Sequence, residues 1–178
     1  MEKGEISMLD FNCFMDLHNH TIWSDGDNSP EEIIINAINH QIEAVGITDH
    51  FCNDDKYSLG NDKLKLYLNK IDMLRSKYIN STKVFIGIEI SYTYLLKNHN
   101  ILPYELLNRL DFILLENLDY IPTTVKLEDV SGLLKGFKCS KGLAHTDLVK
   151  LAGKYVDKGG LDYVLDFMKQ NGLFWEIN

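Results

Sequence analysis

Residues 84–90 read Val-Phe-Ile-Gly-Ile-Glu-Ile, a run of seven in which Glu89 carries the only charge. Apolar runs of this length are typical of strands buried on both faces of a parallel sheet. A buried carboxylate without a partner costs several kcal/mol, so Glu89 needs a cation or strong hydrogen-bond donors. The nearest basic residues along the chain, Lys83 and Lys97, are six and eight positions away. The pattern therefore favours a metal ion over a lysine as the partner of Glu89.

Five further short apolar runs surround this one, and helical patterns separate them. The six predicted strands cover residues 14–18, 44–48, 84–90, 110–115, 142–145 and 173–177. Repeated alternation of strands and helices indicates right-handed βαβ units and a parallel sheet, in either a barrel-like or a doubly wound α/β domain. In both architectures the loops at the carboxyl ends of the strands form the functional face.

The helices between the strands have recognisable ends. Ser29 begins a capping box, Ser-Pro-Glu-Glu, with proline at the first helical position. Apolar residues recur at three- and four-residue spacing over residues 64–78 and again over 161–168, and Gly172 ends the last helix. We expect residues 91–103 to form an irregular loop. Residues 123–136 are predicted to be weakly helical.

Length and charge narrow the class of protein. The chain has 178 residues, which corresponds to one domain over residues 1–178, and its net charge is −8. With only Arg75 and Arg109 as arginines, nucleic acid is an unlikely partner.

The chain has three cysteines, Cys13, Cys52 and Cys139, and they lack CxxC spacing, which is typical of a reducing compartment. No apolar run approaches a membrane span, so we expect a cytoplasmic protein that does not contact a membrane. The sequence does not predict an oligomeric state.

Histidines and carboxylates follow the predicted strands. Residues 16–20 read Asp-Leu-His-Asn-His, and period-two alternation would turn Asp16, His18 and His20 to one face. Two imidazoles so placed can share one metal ion, or they can be surface histidines at a strand end. Asp25 lies in the next loop, where it could be a turn cap or a further ligand.

The second and fifth strands repeat this arrangement. Asp49 and His50 follow the second strand, with Asp49 a candidate helix cap, and His145 follows the fifth. Four of the six histidines thus stand at strand ends on one predicted face. That joint placement indicates a metal site.

These motifs resemble the PHP domain family of polymerase-associated and histidinol-phosphatase-type phosphoesterases. The matching stretches are residues 16–21, 24–26, 47–50, 87–89 and 144–145, with a further likeness over residues 174–178. The resemblance implies a distorted (βα)7 TIM-like barrel with two or three zinc, manganese or iron ions at the strand ends. It places His18, His20 and Glu89 on one metal, Glu89 and His145 on a second, and Asp25 and His50 on a third. Catalytic roles are implied for Glu89, Asp25 and His145.

Two departures from the family pattern concern the ligands. The histidine that the family places after its fourth strand is absent, which leaves Glu116 or Asn117 as candidate oxygen ligands. The family's last motif, after a seventh strand, would lie beyond Asn178. We therefore expect the 178-residue chain to be C-terminally incomplete, missing its last unit.

The resulting prediction is a metal-dependent phosphoric ester hydrolase. It would cleave a small phosphomonoester such as histidinol phosphate with a metal-activated hydroxide. Two alternatives stay open. An amidohydrolase also opens with a His-x-His motif on a barrel strand but needs a lysine at the end of the fourth strand, where this chain has Leu115 and Glu116. A non-catalytic or regulatory PHP-like domain would keep the fold and bind metal poorly.

Overall fold

Six parallel strands form one sheet in chain order, so each strand pairs with its neighbours along the sequence. This arrangement is seen in a computed structural model that describes residues 14–53 and 55–176. The strands are β1 Met15–Asp16, β2 Ala44–Ile47, β3 Lys83–Ser91, β4 Phe112–Glu116, β5 Ser140–Ala144 and β6 Leu173–Trp175. The α/β class and all six predicted strands are confirmed, although the end of the sixth, at Ile177, lies outside the described residues.

Helices connect the strands. They are α1 Pro30–Asn39, α2 Asn61–Lys77, α3 Tyr92–Asn98, α4 Tyr104–Leu107, α5 Leu127–Leu134, α6 Leu148–Gly153 and α7 Leu161–Asn171. The sheet is a half-barrel whose edge strands, β1 and β6, do not pair with each other within residues 14–53 and 55–176. The count of seven strands stays a prediction.

The helix ends follow the local sequence. Ser29 caps α1 and Glu32 reaches back to it, which is the predicted capping box. Gly172 ends α7 in the left-handed conformation, as expected of a helix-terminal glycine. The prediction of an irregular loop over residues 91–103 was wrong, because Ser91 caps α3 through its side chain and the helix buries Tyr92 and Leu95. The prediction over 123–136 is confirmed by α5.

The two faces of the sheet bury different sets of side chains. Ile86, Ile88 and Ile90 of β3 join the large core between the sheet and the helices. The alternate residues of the strand point the other way, and Phe85 packs there against a small cluster that includes Phe112 and Leu114. Glu89 shares that second face, so its carboxylate points away from the helix layer.

Both arginines act at the amino ends of the strands. Arg75 of α2 donates from Nε to the Val84 carbonyl at 2.9 Å and pairs with Asp111. Asp111 also accepts a hydrogen bond from the Ile86 amide at 2.7 Å. Arg109 pairs with Asp72 of the same helix at 3.0 Å. This network fixes α2 against β3 and β4, at the end of the sheet opposite to Glu89.

Two further observations concern membrane-spanning helices and cysteines. Within residues 14–53 and 55–176, none of the helices combines the length and the apolar character needed to cross a bilayer. Cys52 is a free, half-buried thiol, whereas Cys13 lies outside the described residues.

We predict opposite effects for alanine at two glycines. A Cβ at Gly46 of β2 would lie 2.5 Å from the Leu17 carbonyl oxygen, so Gly46→Ala should destabilise the fold by about 1–3 kcal/mol. A Cβ at Gly132 of α5 would meet open space, so Gly132→Ala should stabilise by about 0.5–1 kcal/mol through helix propensity. Thermal unfolding in chelator would measure both. Equal melting temperatures for the two variants would contradict the close approach of β1 to β2.

Candidate metal centre

Glu89 is the centre of the site, and its side chain is completely buried. Four imidazole rings surround the carboxylate. Its Oε2 atom lies 3.3 Å from Nε2 of His18, 3.0 Å from Nε2 of His20 and 3.2 Å from Nδ1 of His50, and its Oε1 atom lies 3.4 Å from Nε2 of His145. Histidines that follow three different strands, β1, β2 and β5, therefore meet around one carboxylate of β3.

The carboxylate of Glu89 has charge partners but no hydrogen bonds. Neither of its oxygens has a hydrogen-bond partner among the described residues. Burial alone would raise the pKa of Glu89, but the surrounding histidines outweigh it and hold this pKa at about 2. An ionised, buried carboxylate that only imidazole rings face is an arrangement that a bound cation stabilises. The ion-pair partners of Glu89 in residues 14–53 and 55–176 are histidines, so the lysine alternative finds no support here.

His18 and His20 lie beyond the end of β1, so strand alternation does not place them as predicted. Asn19 anchors the segment instead, because its backbone amide donates to Thr48 Oγ1 at 3.0 Å and its carbonyl accepts from the Thr48 amide at 2.8 Å. The two Nε2 atoms then converge to 3.0 Å. Asp16 is exposed. Its carboxylate accepts a hydrogen bond from the backbone amide of His18 at 3.4 Å.

A carboxylate faces the outer nitrogen of each of these two rings. Asp25 Oδ1 lies 2.8 Å from His20 Nδ1, and Glu176 Oε1 lies 2.9 Å from His18 Nδ1. Such partners fix the tautomer and the orientation of a ligating imidazole. The sequence prediction missed this role for Glu176. Its position directly after the sixth strand, at the functional end of the sheet, was the signal that could have indicated it.

Burial would lower the pKa of both histidines, but the carboxylates reverse this. The Glu89 and Asp25 carboxylates raise the pKa of His20 to about 9. Glu89 and Glu176 likewise raise the pKa of His18 above its usual value. In the metal-free protein, His20 is therefore protonated at neutral pH.

Asp49 is a support for the loop that carries Asp25. It is buried and accepts hydrogen bonds from the Thr21 amide at 2.8 Å, from the Thr21 hydroxyl at 2.9 Å and from the Ser24 hydroxyl at 2.7 Å. Its interpretation as a helix cap was wrong, since all these donors belong to the loop after β1. Burial raises the pKa of Asp49, and these donors oppose that rise.

His50 and His145 approach from the other strand ends. His50 forms a parallel β-bridge with Glu89, which brings its ring within 3.7 Å of Asp25 Oδ2. His145 follows β5 in a left-handed conformation, with φ 48°, and 48% of its side chain is exposed. His145 therefore stands at the more open side of the cluster.

Glu116 completes the cluster from the end of β4. Asn117 adopts a left-handed conformation, with φ 58°, and its side-chain amide donates to Glu116 Oε2 at 2.9 Å. Burial and the charge of Glu89 raise the pKa of Glu116. Three triads have ligand atoms that all lie within 4.8 Å of one another: His18, His20 and Glu89; His20, Asp25 and His50; and His50, Glu89 and Glu116.

The donor set fits divalent metal ions, because imidazole nitrogens and carboxylate oxygens converge around an unpartnered buried carboxylate. Five of the six predicted ligands enter these triads, and His145 lies beside Glu89 without joining one. Among known protein families, the PHP domain matches residues 16–178. The chain belongs to the PHP domain family.

Two solved structures resemble this PHP domain. Histidinol phosphate phosphatase from Lactococcus lactis, solved with zinc, L-histidinol and phosphate, aligns with a TM-score of 0.58 and 17% identity over 92% of this chain and 72% of its own. A candidate histidinol phosphatase from Listeria monocytogenes aligns with a TM-score of 0.51 and 18% identity over 88% of this chain and 76% of its own. At these identities the likeness shows a shared fold. A search of curated protein sequences finds no match.

We predict that metal binding to this PHP domain releases protons at pH 7. A ligating imidazole must be neutral, whereas the pKa of His20 in the metal-free protein is about 9. The apparent affinity for metal should therefore rise as the pH increases towards 9 and fall as the pH decreases. Calorimetric titration in two buffers with different ionisation enthalpies measures the number of protons, which His20→Asn should reduce by about one. Identical heats in both buffers would be incompatible with a protonated His20.

Proposed function

We propose that this chain is a metal-dependent phosphoesterase of the PHP type that hydrolyses a small phosphomonoester such as histidinol phosphate. The observation that carries the proposal is the buried Glu89 carboxylate, which lies 3.0–3.4 Å from four histidine nitrogens and has no hydrogen-bond partner among the described residues. Membership of the PHP domain family and the fold shared with histidinol phosphate phosphatase support the reaction class.

Two or three divalent metal ions would be held by the predicted ligands. His18 and His20 would bind one ion with Glu89, His145 would share a second ion with Glu89, and Asp25 and His50 would bind a third. Zinc is the first candidate because the Lactococcus lactis structure contains it, and manganese and iron are the alternatives. When bound, such ions neutralise the charge on phosphate oxygens and lower the pKa of water towards ~7.

The positions of the basic side chains support a role for metal ions in binding the phosphate. Arg75 and Arg109 are committed to Asp111 and Asp72 at the opposite end of the sheet. Lys150, which follows β5, has its ammonium 2.7 Å from the buried Asp119. The arginines are therefore remote from the cluster, and Lys150, which also lies 3.3 Å from the ring centroid of Tyr120, is neutralised by Asp119. The substrate phosphate would depend on metal ions for charge neutralisation.

A cavity beside the cluster supports a small substrate. It has a volume of about 360 Å³, and it reaches the metal centre through Glu116. Its lining consists of Ser91, Tyr92, Thr93, Glu116, Asn117, Tyr120 and Ile121. This volume lies at the lower end of the range for small-molecule sites, and the lining contains no basic side chain that would bind a second phosphate. The alcohol part of a phosphomonoester would fit there better than a polynucleotide.

The three catalytic side chains would act in different ways. Glu89 would hold the metal ligands around one point, because its two oxygens face different histidines. Asp25 orients His20 through Oδ1, and its Oδ2, which faces His50, would bind metal. His145, at the open side of the cluster, would bind metal through Nε2, which faces Glu89.

The alternatives receive less support. An amidohydrolase-type hydrolase would need a lysine where β4 ends in Leu115 and Glu116. A non-catalytic PHP-like domain is distinguished by experiment, because it would lack turnover even when loaded with metal. We further propose that residues 1–178 contain a single PHP-like domain related to a distorted (βα)7 barrel. Cytoplasmic localisation remains part of this proposal.

We predict that chelation abolishes phosphatase activity towards a small phosphomonoester and that zinc or manganese restores it. His20→Asn should bind less metal and lose at least 100-fold in kcat/KM, because the ring contacts both Glu89 and Asp25. His40→Asn is the matched control, since His40 is exposed at the end of α1. Bound metal measured by elemental analysis, with release of phosphate, checks both. Metal-loaded protein without turnover would favour the non-catalytic alternative.

We predict that Glu89→Gln removes the stabilisation by metal. A ligand at 100 times its Kd adds about 2.7 kcal/mol to the stability of the folded state. The parent protein should therefore melt roughly 5–10 °C higher with metal than with chelator, whereas Glu89→Gln should melt at nearly the same temperature in both. Melting curves of both proteins in both conditions measure this. An equal loss with and without chelator would indicate a purely structural role for Glu89.

A further inference from the structure

Two carboxylates approach each other at the ends of β3 and β4. Glu89 and Glu116 each present an oxygen to His50, and the three ligand atoms lie within 4.8 Å of one another. Glu89 is completely buried without a hydrogen bond, and Glu116 is half buried. Two ionised carboxylates this close repel each other, so one of them takes up a proton unless a cation lies between them. The ion pairs of the described residues provide no lysine or arginine at this point.

We propose that Glu116 is a metal ligand that binds one ion together with His50 and Glu89. This inference rests on the proposed metal-dependent function. It adds Glu116 to the ligands and assigns His50, whose Nδ1 faces Glu89 at 3.2 Å, to this ion in place of the ion that it would share with Asp25. Glu116 ends β4, opposite Ser91 in the sheet register, so its side chain follows the same strand-end edge as Glu89. The ion would be the one that faces the 360 Å³ cavity, since Glu116 also lines that cavity.

Asn117 acts as a positioning residue for this ligand. Both Glu116 and Asn117 are candidate oxygen ligands from sequence, but the structure separates their roles. The Asn117 amide donates to Glu116 Oε2 at 2.9 Å, which fixes the carboxylate and leaves Oε1 available. The left-handed conformation at Asn117 turns the chain directly after the strand and makes this contact possible.

The proposed ligand set changes the choice of metal. The triad of His18, His20 and Glu89 and the triad of His20, Asp25 and His50 each offer two nitrogens and one oxygen, whereas the triad with Glu116 offers one nitrogen and two oxygens. Carboxylate ligands suit manganese, and imidazole ligands suit zinc. The Glu116 site should therefore discriminate less strongly for zinc over manganese than the histidine-rich site.

Metal titrations of the full chain test the assignment. Metal-free protein is titrated with Mn²⁺ and, in competition, with Zn²⁺, using electron paramagnetic resonance of free Mn²⁺ and calorimetry. Glu116→Gln should weaken one Mn²⁺ site at least tenfold and leave a second site within threefold. Glu116→His should raise the ratio of zinc to manganese affinity at that site at least tenfold. Glu43→Gln is the matched control, because Glu43 is exposed and distant in sequence from every candidate ligand of β3 and β4.

The outcomes separate this inference from the proposed function. Circular dichroism in chelator first establishes that the variants fold like the parent. If Glu116→Gln and Glu43→Gln give the same Mn²⁺ isotherm as a metal-binding, active parent, the assignment of Glu116 is overturned and the phosphoesterase proposal stands. If Glu116→His leaves the zinc-to-manganese ratio unchanged, the assignment is likewise overturned. If the parent binds neither metal, both proposals fail together.

Discussion

The structure depends on a full negative charge placed inside a parallel sheet. Glu89 is completely buried, and its ion-pair partners in the described chain are the rings of His18, His20, His50 and His145. Such a charge is costly in an apolar interior, so the fold must bring compensating groups from several strands to one point. The order of the strands makes this possible, because their carboxyl ends meet at one edge of the half-barrel.

The local structure at that edge orients the candidate ligands. Asn19 and Thr48 exchange three hydrogen bonds that hold the histidines after β1 against β2. Asp49 accepts hydrogen bonds from the loop that carries Asp25 and so fixes that loop. The Asn117 side chain donates a hydrogen bond to Glu116. The arginines, by contrast, stabilise the opposite end of the sheet. Stability and chemistry therefore use separate ends of the same strands.

The fold could be predicted well from sequence because its signals are local. Six short apolar runs predicted the strands, and the capping box at Ser29 and the glycine after α7 marked helix ends, each over a few residues. The helix α3 was missed because its stability comes from burying Tyr92 and Leu95 in a tertiary contact, which periodicity over seven residues does not reveal.

The site could be predicted only in part. Histidines at strand ends indicated the ligands, since the topology guarantees that such ends meet. The roles of Asp49 and Glu176 depend on which side chains lie opposite them across the sheet, at separations of 28 and 158 residues. No sequence pattern near either residue contains that information. His18 and His20 lie beyond β1, and the contact of Asn19 with Thr48 after β2 sets their position. Strand alternation was therefore the wrong explanation for their shared direction.

The junction between β3 and α3 has a consequence for how the centre moves. Ser91 is both the last residue of the strand and the cap of the helix, so no loop separates Glu89 from α3. The same helix reaches the segment after His50, where the Asn53 amide donates to the Tyr94 hydroxyl at 3.2 Å. A tilt of α3 would therefore shift the backbones next to Glu89 and His50 together. The helix links two candidate ligands mechanically, and an insertion at residue 91 would uncouple them.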